Sequence, residues 1–212
     1  MTALSFEVTG ARIDRYAASP AILLRVAVSE ASGAKIDAIL LRSQLRLEVA
    51  RRRYLPEESA LLTELFGEPA RYGETLRPML WTHVSALLPS FEHRAEFDLS
   101  VPCSYDFEVA ANKYLASLQE GVIPVNLLFS GTVLVEGSTG VSAELVPWSC
   151  EASYPLAVSV WREAMDAFFP NAAWIRVSRD VFDELRRFKI ATGLPTWEAA
   201  FERLCELARA RR

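Results

Sequence analysis

Two histidines, three cysteines and one run of arginines hold most of the reactive chemistry this 212-residue chain can offer. His83, His93 and Cys103, with Asp106 close by in sequence, have the residue types of a Cys–His–Asp nucleophile arrangement, in which a base draws the proton from a thiol. Cys103, however, falls on the apolar parity of an alternating stretch, where a thiol behaves as a small buried hydrophobe. His83, His93 and Asp98 show neither HxH nor HxxxH spacing, so no metal ligand set is expected. Ser130-Gly131 lacks the first glycine of G-x-S-x-G, and Gly137-Ser138-Thr139-Gly140 is followed by neither Lys-Ser/Thr nor a helix. Both read as structural turns rather than a nucleophile elbow or a phosphate loop. The expectation is therefore no catalytic residue, no cofactor and no metal. A small-molecule hydrolase or ligand-binding protein using Cys103, His83 or His93 is the alternative.

Binding signals are better supplied. Arg51-Arg52-Arg53 is the one basic run, suited to a solvated strand end, a partner of acidic residues or an anion site. Five tryptophans stand at 81, 148, 161, 174 and 197. A groove between helices and sheet lined by Trp148, Trp161 and Trp174 is the preferred binding surface, because aromatic anchors dominate interfaces. These three tryptophans and the three arginines form the candidate partner-binding set. Charge is uneven along the chain: residues 1–55 carry +4, residues 56–175 carry −11 and residues 176–212 carry +3. Basic ends and an acidic middle are expected to complement one another. With a net charge of −4, the chain has no basic footprint for nucleic acid. It also lacks the run of about 18 apolar residues that a membrane-spanning helix needs. No basic-then-apolar leader precedes the first strand signal, so a cytoplasmic location is expected. Cys103, Cys150 and Cys205 are far apart and form no CxxC pair, as reduced thiols in that compartment would.

The elements that must position these residues are read from periodicity. From Phe91 to Val109, apolar and polar residues alternate for nineteen positions. This predicts one or two collinear strands with one buried face, interrupted or edged at Pro102. A short strand begins at Phe6–Val8. The run from Ile22 to Val28 and the one ending at Val49 flank Ser32-Gly33, predicting an antiparallel hairpin with a bulge near Ile39. Pro56, Glu57 and Glu58 open a three-turn helix that Gly67 closes. Glu68–Pro78 reads as loop, Leu80–Leu87 as strand and Asn112–Gln119 as a helical turn. Val125–Val135 reads as a central strand covered on both faces, and Val141–Trp148 as the last strand. The period then changes to helical, with faces at Trp161/Ala164/Met165/Phe168, at Val181/Phe182/Leu185/Phe188 and at Ala200/Phe201/Leu204/Leu207. The expected class is α+β: an antiparallel sheet or sandwich of about seven or eight strands. In that reading, residues 1–155 form the β domain with a short helix near 56–67, and residues 156–212 supply helices packed on it.

Several phrases together carry a family resemblance. They are Arg53-Tyr54, Leu65-Phe66-Gly67, Thr75-Leu76-Arg77, Trp81-Thr82, Val101 to Asp106, Leu128 to Thr132, Pro147-Trp148 and Trp161-Arg162. Across nearly the whole length the chain resembles an uncharacterised bacterial family, domain-of-unknown-function family 6084. That resemblance implies a companion of actinobacterial nickel–iron hydrogenase gene clusters, with an accessory or maturation role and a hydrogenase subunit as partner. The order from Tyr154 to Leu185, with Phe169-Pro170 at its middle, is also similar to the SecB export chaperone. Either likeness implies binding of a partner or client protein rather than turnover; a structural subunit forming a homo-oligomer is a third reading.

Overall fold

The computed structural model describes residues 2–104, 106, 109–137, 140–170 and 176–210. Its strands, in chain order, are β1 (Leu4–Ile13), β2 (Ala21–Glu30), β3 (Ile36–Leu47), β4 (Met79–Leu88), β5 (Arg94–Pro102), β6 (Val122–Gly137), β7 (Gly140–Leu145) and β8 (Glu151–Ala157). All pairings among them are antiparallel. One sheet has the order β1-β2-β5 and the other β4-β3-β6-β7, with β8 on β6 beside β7. The long β6 thus offers Val122–Leu128 to β8 and Thr132–Gly137 to β7. Inward residues of both sheets, among them Val26, Leu24, Leu45, Leu127 and Val133, are fully buried in one cluster. Phe6 of β1 stacks on Phe129 of β6 at 4.3 Å between ring centroids, joining the two sheets through their apolar faces. The α+β class with mainly antiparallel sheets is what the alternation predicts.

Four local expectations change. The predicted hairpin across Ser32-Gly33 does not form: β2 and β3 enter different sheets. The cause is Glu30, a buried carboxylate at the end of β2 that accepts N–H bonds from Ala3, Ser32 and Ala34 and the Ser32 hydroxyl. Those bonds turn the chain out of one sheet before it can pair with itself. The predicted bulge lies between Ile36 and Ala38 rather than at Ile39. Among the described residues, the nineteen-residue zigzag supplies the single strand β5, which stops at Pro102 on the edge of its sheet. Beyond it Val109 caps a helix, and Tyr105, Phe107 and Glu108 lie outside the described residues. An additional strand, β8, follows the one read as last. Its Pro155 disguises it, and is tolerated because β8 pairs with β6 alone.

Helices close the sandwich and follow their sequence signals. Pro56 starts α1 (Pro56–Phe66), whose Glu58 carboxylate accepts the Leu55 N–H, and Gly67 ends it at φ +73°. A single turn, α2 (Tyr72–Thr75), sits in the segment read as loop. Next come α3 (Ala110–Ser117) and α4 (Val158–Phe168); α4 buries Trp161, Ala164 and Met165. The compact units are Met1–Ala173 and Trp174–Arg212. Helix α4 lies in the first unit and contributes to the sandwich core. The second unit is a helical pair, α5 (Arg179–Ala191) and α6 (Trp197–Arg209), capped by the Ser178 and Thr196 hydroxyls. Phe182, Trp197 and Phe201 pack together within it.

Candidate functional site on the outer sheet face

β7 carries its apolar side chains on the outward parity of its sheet. Its Ser142 and Glu144 share parity with the inward Val133 and Val135 of β6, while Val141, Ala143 and Leu145 lie on the outward parity. Residues directly opposite in a ladder share a face, so the register builds apolar rows across the sheet. Leu87, Leu40, Thr132 and Leu145 form one row over four strands. Ala38, Leu134 and Ala143 form the next. Leu40, Leu87 and Leu145 remain 52%, 72% and 78% exposed, and Val141 continues the patch. Thus β6 is central in its sheet, and Leu128 and Leu134 on its outward face are half-buried.

Gly131 lets β3 and β6 approach closely beside Leu40. Its φ of +140° and its place opposite Leu41 bring the Leu40 carbonyl oxygen to 2.0 Å from where a Cβ would stand. Any side chain there would push β3 and β6 apart beside Leu40. Polar residues bound the patch at both ends. Arg42, Ser85 and Ser130 lie on one side. Asp37 and Glu136 lie on the other, with Glu136 paired to Lys35 at 2.6 Å. An apolar centre with a charged rim is the anatomy of a protein-binding surface.

The arginine run divides by role. Arg52 is buried, and its guanidinium donates to the Glu58 carboxylate, the Glu120 carbonyl and the Val122 carbonyl. Burial would raise the carboxyl of Glu58, but N–H groups of Gln119 and Leu55 together with Arg52 hold it below its ordinary value. This is an internal tie between α1 and the start of β6. Arg51 and Arg53 are exposed beside it, lining a cavity of about 300 Å³ with Glu120, Gly121 and Pro124. Arg51 approaches Glu48 at 3.9 Å.

The tryptophans do not share one environment. Trp148, in the turn between β7 and β8, is 95% exposed, whereas Trp161 is 4% exposed in the core. Trp174 lies outside the described residues. The reactive residues are also dispersed. His83 sits opposite Gln44 on the outward face of β4. His93 occupies the turn before β5 at φ +63°, and Cys103 follows β5, its N–H bonded to the Pro20 carbonyl. Ten residues of extended chain separate His93 from Cys103 by about 33 Å. Burial pushes the Cys103 thiol up to about 12, away from the thiolate that a nucleophile requires. The geometry gives these three residues no common site.

The outer leucine rows were missed by sequence reasoning, which weighed aromatics and titratable groups. A signal was present: between Gly140 and Val146 the apolar parity holds small and aliphatic residues, while the other parity holds Ser142 and Glu144. Only pairing with β6 reveals which parity points outward.

No curated protein matches this chain in sequence. Among solved structures, the CARDB domain of the PF1109 protein from Pyrococcus furiosus, crystallised in complex with di-metal ions, is similar at 11% identity and a TM-score of 0.28. That alignment covers 74% of this chain and 92% of the other. A beta-glucosidase from Kluyveromyces marxianus is similar at 6% identity and the same TM-score, over 73% of this chain and 15% of the enzyme. At these scores neither likeness carries an argument about fold or activity. A family model spans residues 1–212 from end to end, and on that match the chain belongs to the family of unknown function DUF6084.

Proposed function

We propose that this protein is a non-enzymatic, cytoplasmic accessory protein that binds a partner protein on the outer face of its larger sheet. The observation that carries the reading is β7, whose outward parity is apolar and whose inward parity is polar. A strand patterned in this way is stabilised by something beyond its own sandwich, since outward leucines contribute little until they are covered. Burying a leucine side chain fully is worth about 1.5–3 kcal/mol, so covering three half-to-largely exposed leucines in one row contributes to binding. The surface, four strands wide, suits a folded partner better than the extended client that a chaperone-like reading implies. Nickel–iron hydrogenase subunits and assembly factors, to which the family resemblance points, are the first partners to test.

The test is site-specific photo-crosslinking in the native host. A photoreactive residue replaces Leu145 or Leu87, and a control replaces the exposed Tyr16 of the β1–β2 turn. A discrete adduct with another protein from positions 145 and 87, absent from position 16, is the expected result. Adducts from position 16 alone would refute the reading.

A further inference from the structure

We infer that, in the absence of its partner, the outer sheet face pairs with a second copy of this chain about a two-fold axis running along the leucine rows. Self-association and partner binding would then compete for one surface; the inference rests on reading that face as a docking surface. The register supplies the geometry. Take the line midway between the Leu40 row and the Ala38 row, at Ile39 on β3 and Val133 on β6. Arg42 lies three residues to one side of that line and Glu136 three residues to the other, each about 10 Å away. A two-fold axis along the line leaves each strand over its counterpart and exchanges the two ends. Arg42 of one copy then faces Glu136 and Asp37 of the other, twice by symmetry. Stacked sheets sit about 10 Å apart, a gap that an arginine and a glutamate span together.

The alternative axis, parallel to the strands, would bring Arg42 near its own copy and Glu136 near its own, and like charges in an interface disfavour it. Arg42 has no ion-pair partner within its own chain among the described residues, so its charge is available. Glu136 is shared with Lys35 at 2.6 Å but remains half-exposed. The two apolar rows span about 14 Å across the strands and about 7 Å along them, well under the roughly 800 Å² per partner of a standard stable interface. The pair is accordingly weak, dissociating in the micromolar range or above, which leaves the face open to a tighter partner.

Sedimentation velocity on the full chain over a concentration series tests this. The expected result is a reversible monomer–dimer equilibrium that Leu145→Glu abolishes. Arg42→Glu and Glu136→Arg should each weaken it by about tenfold, and the double variant R42E/E136R should restore association toward the wild-type level. A monomer at hundreds of micromolar, a dimer indifferent to Leu145→Glu, or a double variant as weak as the singles would overturn the inference. If the wild type is monomeric while crosslinks from position 145 to another protein persist, this inference falls and the partner-binding reading stands.

Discussion

Glu30 shows how one buried acid sets the course of a chain. Burial alone would raise its carboxyl, but the Ser32 hydroxyl and the N–H groups of Ala3, Ser32 and Ala34 overcome that and hold it at about 2, against an ordinary 4.5. A carboxyl depressed in the folded state adds stability that is complete above pH 4.5 and is lost as pH falls toward 2. The shift corresponds to at most about 3 kcal/mol. Urea denaturation across pH should therefore show Glu30→Gln to be less stable by about 2–3 kcal/mol at pH 7. It should also show that variant losing less further stability than the wild type between pH 4.5 and 2. Equal acid limbs for the two proteins would mean that Glu30 does not hold the turn.

Among the elements, the α1–β6 tie is where the arginine run does structural work. Arg52→Met leaves Glu58 buried without its countercharge and frees the Glu120 and Val122 carbonyls. Equilibrium unfolding should register a loss of about 3–5 kcal/mol. Arg51→Met and Arg53→Met, on exposed side chains, should stay within about 0.5 kcal/mol of wild type. From the sequence alone, the three arginines were indistinguishable, because which one meets Glu58 depends on a contact with an element after Gln119. Local signals were legible: Pro56 and Gly67 bracket α1, and Ile22–Val28, Leu80–Leu87 and Val125–Val135 are strands as their alternation predicts. Non-local choices were not. Nothing in Ser32-Gly33 reveals that the turn switches sheets, since the residue responsible is a glutamate whose donors include Ala3. The outward parity of β7 likewise has meaning only once Thr132 is known to stand opposite Leu145.

At the scale of the molecule, the proposed binding role rests on where the exposed leucines stand rather than on the reactive side chains. Cys103 is sealed at one end of β5 and His93 stands at the other, while β3, β4 and β7 present the exposed Leu40, Leu87 and Leu145 in one row across β6. No described helix is long and apolar enough to cross a membrane. A tagged chain expressed in its native host, compared with the same chain carrying Leu40→Glu and Leu145→Glu, measures the central claim most directly. Both side chains point to solvent, so the variant should keep the wild-type melting curve. Quantitative mass spectrometry should then find one protein other than the chain itself recovered with wild type and depleted at least about tenfold with the variant. Equal recovery of every companion protein by the two chains would contradict the account.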